Sequence, residues 1–342
     1  MQKIAPWAIG LAALGLSGCY YGHLGVGQTR LLLARESVKE LLADPDTPDA
    51  LHRRLLLVGD VRAFAAELGL DVRGQYTSYV PWPGDRVVTT VVATRPGEVE
   101  ARSFRFPIVG EVPYKGFFDL ERAQDEAAQL RAEGLDVCLV PVAAYSTLGW
   151  MDDPVTEPML RSSDGELVET LIHELVHATV FVESEPDFNE GVASFIGEEG
   201  VVRFYTAREE SPARKDEGEA RRQRVRVTDD RAVSGVLLAF RRDVAALYDA
   251  QPEPELQRDG RAALETEARE ALAKLPLRTR DAGRIAREAR LGNACLAIRG
   301  TYAADTPRHA DLLAKMDWDL SAFVARLREV ADADDPRSAF FD

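Results

Sequence analysis

The sequence predicts a mainly α fold of the α+β kind, with a small sheet in the middle of the chain and an all-helical carboxyl-terminal half. Apolar residues recur at helical spacing over residues 29–43, over 49–68, and in a succession of charged segments from Glu210 onward. Between them, residues 86–94, 101–109 and 136–142 are rich in valine and phenylalanine and bounded by glycine and proline, which reads as strands. A helical pattern over 121–133 then serves as the crossover between strands.

At the amino terminus, Lys3 precedes a short apolar stretch over residues 4–16 that ends in Leu16-Ser17-Gly18-Cys19. This stretch is too short for a membrane-spanning helix and has the charged start and small-residue end of a cleaved signal. It resembles a bacterial lipoprotein signal. That resemblance implies cleavage before Cys19, a diacylglyceryl group on its thiol, and acyl chains as the membrane anchor. Tyr20, where an aspartate would retain the protein at the inner membrane, implies the outer membrane, facing the periplasm.

No other run is long enough to span a bilayer, and there is no repeat of fixed period and no low-complexity tract. The chain carries a net charge of −15, and the leader contributes only Lys3 to it, so the remainder is more acidic still. Such a balance argues against nucleic-acid binding and against electrostatic attachment to anionic lipid. The 342 residues are enough for a sizeable core. The expected division is a leader over 1–18 and one domain over 19–342. Within that domain the sheet lies in 75–150, a helix pair in 165–206, and further helices in 207–342.

The helix pair carries the chemistry. Ser163 and Glu166 form a Ser-x-x-Glu capping box just before the apolar run that opens at Leu167. Leu167, Val168, Leu171, Ile172, Leu175, Val176 and Val180 make an apolar stripe, while Glu169, Thr170, His173, Glu174 and His177 occupy another face. His173 and His177 stand four apart on that face and can grip one metal ion. Glu174 lies where it can take a proton from water without ligating the metal.

Pro186 cannot continue the helix, so a turn near 183–187 is expected to reverse the chain into a second helix starting near Phe188, with the first helix ending near Val182. Two helices packed about 8–10 Å apart then bring the Glu190 carboxylate to the two imidazoles. Two histidines, a glutamate and an open fourth position make the usual catalytic zinc arrangement. Against a chance His-Glu-x-x-His stands the scarcity of histidine, with five in the chain and two of them in the motif.

His173-Glu174-Leu175-Val176-His177 followed by Asn189-Glu190-Gly191-Val192-Ala193 resembles the gluzincin metallopeptidases. In their aminopeptidase N group the third ligand lies in an Asn-Glu-Gly-x-Ala segment, which implies a zincin-like fold and Glu190 as ligand. The separation of His177 from Glu190 is shorter here than is usual in that group, and its Gly-x-Met-Glu-Asn motif is not found. A second resemblance covers most of the chain after Cys19. The segments Val112-Pro113-Tyr114-Lys115-Gly116, Ala144-Tyr145-Ser146-Thr147-Leu148-Gly149-Trp150, Asp152-Asp153-Pro154, Asn293-Ala294 and Gly300-Thr301-Tyr302 are similar to those of a family of bacterial lipoproteins described as zinc aminopeptidases. It implies an aminopeptidase acting on peptides from a lipid anchor.

Hydrolysis needs a donor for the charge that develops on the carbonyl oxygen. Tyr302 is the candidate, with Tyr205 and Tyr145 as competitors and a half-buried structural aromatic as the alternative role for Tyr302. Support for a ligand is expected from Ser194 or Glu169, each one helical turn from a ligand. Substrate contact is expected along 144–150, after the third strand.

Cys138 and Cys295 could form a disulfide, but a buried thiol is the expected state of both. His309, His23 and His52 lack metal-spaced partners and are expected at the surface or in hydrogen-bonded structural roles. The mixed charges over 208–226 read as a solvated helix face. The function expected is membrane-anchored zinc-dependent peptide hydrolysis by an aminopeptidase. The alternatives are a periplasmic endopeptidase acting on envelope proteins, or a catalytically silent binding lipoprotein.

Overall fold

The computed structural model describes residues 6–106, 110–144, 151–211 and 218–342, with side chains from residue 20 onward. In chain order its elements are α1 (Pro6–Leu33), β1 (Glu36–Ser37), α2 (Val38–Ala43), α3 (Asp49–Glu67), β2 (Ser78–Val80), β3 (Val88–Thr94), β4 (Phe104–Phe106), β5 (Gly110–Val112), β6 (Lys115–Phe117), α4 (Leu120–Ala132) and β7 (Asp136–Val142). There follow β8 (Val155–Thr156), α5 (Glu157–Leu160), α6 (Asp164–Thr179), α7 (Pro186–Glu210), α8 (Glu219–Ala250), α9 (Pro254–Ala273), α10 (Ala282–Glu288), α11 (Asn293–Ala303), α12 (Thr306–Lys315), α13 (Leu320–Val330) and α14 (Pro336–Phe341). The predicted α+β class with a helical carboxyl-terminal half is the observed one. No described helix is long and apolar enough to cross a membrane.

β3 is the centre of a three-stranded antiparallel sheet ordered β6-β3-β7, with Val91 opposite Leu139 and Lys115. α4 connects β6 to β7 and covers the sheet's outer face with Ala123, Ala127 and Leu130. Two smaller sheets flank it, β1-β2-β8 and the β4-β5 pair. The helical pattern over 29–43 is not one helix: the chain there divides among the end of α1, β1 and α2. Ser37 accepts from the Glu40 amide and starts a new helix, while β1 pairs with β2.

The largest core lies between α3, α6, α7 and the last three helices, where Leu55, Leu171, Leu175, Phe195 and Phe323 are fully buried. α6 and α7 approach closely because glycine faces the contact. A Cβ at Gly200 would lie 2.9 Å from the Ile172 side chain, and one at Gly197 3.0 Å from the Glu169 carbonyl oxygen. α8 is clamped to α7 through Glu199, which is 0 % exposed and meets Arg203 (2.8 Å), Arg224 (2.8 Å) and Arg231 (3.0 Å). The described charges of 208–226 are therefore not merely a solvated face: Arg224 joins this clamp, Arg208 reaches Asp60 and Arg226 reaches Glu169.

Cys138 on β7 and Cys295 on α11 form a disulfide, which corrects the expectation of two buried thiols. Their spatial neighbourhood follows from α11 packing on the sheet, a long-range contact with no local signature in sequence. His23 and His52 take the expected hydrogen-bonded structural roles. His23 Nε2 accepts from the Phe118 amide, and His52 Nε2 lies 3.3 Å from the Leu42 carbonyl oxygen. His309 is neither at the surface nor hydrogen-bonded: it is 0 % exposed, and both ring nitrogens are without a partner among Phe195, Phe323, Phe340 and Phe341.

Candidate metal centre

α6 begins where the sequence marks it. The Ser163 hydroxyl accepts from the Glu166 amide, and the Glu166 carboxylate accepts from the Ser163 amide at 2.9 Å, completing the capping box. The helix ends at Thr179 rather than Val182, because Val180 turns extended at φ −141. Asn189, the first residue of the Asn-Glu-Gly segment, holds the turn that follows. Its amide donates to the Val182 carbonyl at 2.7 Å, and its side-chain oxygen accepts from the Val182 amide at 2.9 Å. Pro186 occupies the first turn of α7, where its missing N–H costs nothing, and Glu190 follows within about one turn.

This turn brings the three proposed ligands together. His173 Nε2 and His177 Nε2 are 3.1 Å apart, and Glu190 Oε2 lies 3.3 Å from the first and 3.5 Å from the second. The three ligand atoms lie within 4.8 Å of one another. Glu190 Oε2 and His177 Nδ1 are buried without a hydrogen-bond partner, and among the described residues no lysine or arginine pairs with Glu190. A buried carboxylate facing two imidazoles, with no other cation to balance it, fits a divalent ion, and this nitrogen and oxygen set suits zinc.

Burial acts to raise the Glu190 pKa, but the two histidines outweigh it and hold the carboxyl well below the usual range. His177 shows the reverse balance. Burial would lower its pKa, yet Glu190 and Glu174 raise it. Ser194 Oγ stands 3.5 Å from His173 Nδ1, whereas Glu169 pairs with Arg226. Of the two expected supports, Ser194 is the one beside a ligand.

Tyr302 comes to the centre from α11. Its ring stacks on His173 with centroids 6.1 Å apart and planes 15° apart, and Glu190 is among the carboxylates whose charge acts on its hydroxyl. Tyr114, in the turn between β5 and β6, is a second phenol facing Glu190 and Glu174. Burial foremost, then these carboxylates, push both phenols far above their ordinary pKa, so both are protonated hydrogen-bond donors at neutral pH. Tyr205 is packed against Phe204 in the core, away from the ligands. Of the expected contact segment over 144–150, Ala144 lines the cavity, while the rest of it, Tyr145 included, and the side chain of Cys19 lie outside the described residues. Sequence reasoning missed Tyr114 as a site residue, although it sits in the Val112-Pro113-Tyr114-Lys115-Gly116 segment already singled out.

The ligands, Glu174 and the two phenols open into one cavity of about 690 Å³. The sheet provides one wall through Val88, Thr90, Val140 and Val142, while α8, α10 and α11 close the other sides. A carboxylate without a ligand's position, beside a metal-binding triad and two neutral phenols in a largely apolar cavity, is equipped for hydrolysis of a polarised carbonyl. No curated protein and no solved structure matches the chain. Residues 19–339 match the model of the family described as "Putative aminopeptidase". Because that match runs over almost the whole length, the chain belongs to the putative aminopeptidase family.

Proposed function

We propose that the protein is a zinc-dependent peptidase, an aminopeptidase, held at a bacterial membrane by lipid on Cys19. The observation that carries the reading is the convergence of His173, His177 and Glu190, with Glu174 opening into the same cavity. Bound zinc supplies Lewis-acid polarisation of a peptide carbonyl and acidifies water. Glu174 takes the proton of the attacking water and passes it to the leaving amine. Tyr302 and Tyr114 present neutral hydroxyls to the oxygen on which charge develops. The family supports a peptide substrate. The Leu16-Ser17-Gly18-Cys19 segment supports the lipid anchor, and Tyr20 after it supports an outer-membrane address facing the periplasm. Mass spectrometry of the amino-terminal peptide from cells tests that anchor.

The test of the chemistry compares wild-type residues 20–342 with Glu174→Gln on matched peptides with free and acetylated amino termini. The variant is expected to keep its zinc and lose a factor of about 10² to 10⁴ in kcat. A variant turning over at the wild-type rate refutes the mechanism. Cleavage of the free peptide alone establishes an aminopeptidase. Equal cleavage of both makes the protein an endopeptidase and directs the search for its substrates to envelope proteins.

A further inference from the structure

The cavity lining combines unlike chemistry. Glu174 and Glu190 make the metal centre anionic. The same lining carries three cations, Arg280, Arg290 and Arg299, with Glu288 as its further carboxylate. Much of the rest is apolar and includes Val140, Ile298 and the Cys138–Cys295 disulfide.

The three arginines differ in what they already hold. Arg280 is paired with Asp230, which also receives Arg226 at 3.2 Å. Arg290 donates to the Leu139 carbonyl at 2.8 Å. Arg299 makes no hydrogen bond or ion pair with any described residue, Glu288 included. Asp230 and Arg280 act on it only through space, and surrounding protein lowers its pKa, although the residue remains exposed to the cavity. A guanidinium stays charged under these conditions and presents a planar fork of donors suited to a carboxylate.

Its position along α11 relates it to the chemistry. Cys295, Arg299 and Tyr302 stand at i, i+4 and i+7 and line one side of the cavity. Arg299 is therefore about one helical turn, roughly 5 Å along the axis, from the tyrosine that stacks on His173. An extended peptide advances about 3.3 Å per residue, so one or two residues cover that span. The Arg299 guanidinium repels a substrate ammonium and suits the carboxyl-terminal side of the substrate. In a chain with net charge −15, it is also a local focus for an anion.

We propose that Arg299 anchors a carboxylate of the peptide one or two residues beyond the bond that is cut, so that peptides carrying an anion there are the preferred substrate class. The proposal rests on the peptidase reading above. The carboxylate belongs either to the substrate's own carboxyl terminus or to an acidic side chain.

The experiment measures kcat/KM for two matched pairs on zinc-loaded wild type, Arg299→Gln and Arg299→Lys. The first pair is Leu-Leu-Ala with a free or amidated carboxyl terminus, and the second is Leu-Leu-Glu-amide against Leu-Leu-Gln-amide. Each pair is repeated one residue longer. The expected result is a preference of about tenfold for the anionic member of one pair, falling to about 1 in Arg299→Gln and partly retained in Arg299→Lys. Preference in the first pair assigns the terminal carboxylate, and preference in the second assigns the side chain. Rates within twofold for both pairs in wild type, or a preference that survives in Arg299→Gln, overturn the proposal.

Calorimetric Kd values for the same peptides separate this proposal from the peptidase reading. A wild type that cuts none of them yet binds the anionic member about tenfold tighter refutes the peptidase and supports the anchor. Equal Kd values overturn the anchor.

Discussion

Replacing Cys138 and Cys295 together by alanine removes a crosslink that joins β7 to α11 across a sequence separation of 157. In the unfolded chain the disulfide closes a loop of that length, and the chain-entropy relation values the lost freedom at about 5 kcal/mol at 25 °C. Domains are stable by only about 5–15 kcal/mol, so the bond carries a large share of the total. Divided by an unfolding entropy of about 2.1 cal/mol/K per residue, this is a fall in Tm of about 7 °C. The metal triad is on α6 and α7, whose contact through Gly197 and Gly200 does not involve the disulfide, so zinc content is expected to stay at the wild-type level. α11 is different, because it carries Tyr302 and Arg299 and loses its covalent tie, so kcat/KM is expected to fall while zinc remains. Calorimetry of residues 20–342, with thiol titration in denaturant and zinc by atomic absorption, reads all three quantities. Two titratable thiols in denatured, unreduced wild type, or equal Tm values for wild type and the double variant, would refute the reasoning.

Asn189→Ala strips the partners from both the amide and the carbonyl of Val182. Leaving them unsatisfied is expected to cost about 2–4 kcal/mol in urea unfolding. The turn that delivers Glu190 loosens with it, so zinc affinity should fall about 10- to 100-fold in chelator competition. His309 has its pKa lowered to about 4, first by burial, and is therefore neutral in the folded protein where the unfolded chain binds a proton. Its contribution is complete above about pH 6.5 and is lost as the pH falls toward 4, by about 3 kcal/mol over that window. His309→Phe keeps an aromatic ring among the surrounding phenylalanines, and the difference between wild-type and variant unfolding free energies should change with pH over this window. A constant difference between pH 7 and 4 contradicts the assignment.

What the sequence made legible was local. The capping box, the apolar stripe of α6 and the two halves of the candidate ligand set all act within a few residues of one another, and each is where its spacing put it, while Pro186, expected in the turn, is the first residue of α7. β7 also matched the predicted strand at 136–142. What stayed hidden depended on elements far apart in the chain. Tyr114 reaches the centre only because β6 pairs with β3, and the disulfide exists only because α11 lies on the sheet. The break near residue 34 escaped because a continuous apolar pattern does not register a serine cap competing for the backbone. His309 escaped for a different reason: one histidine gives no sign in sequence that phenylalanines from α7, α13 and α14 will enclose it.

The ligands come from two consecutive helices joined by a short turn, whereas the phenols come from a distant strand turn and a distant helix. Contacts of low sequence separation form early in folding, and those that must close long loops form late. On the proposed function, the ligand set rests on a local helix pair and the two donors on distant elements. A molecule with α11 undocked would then keep its ligand residues together while lacking the Tyr302 donor.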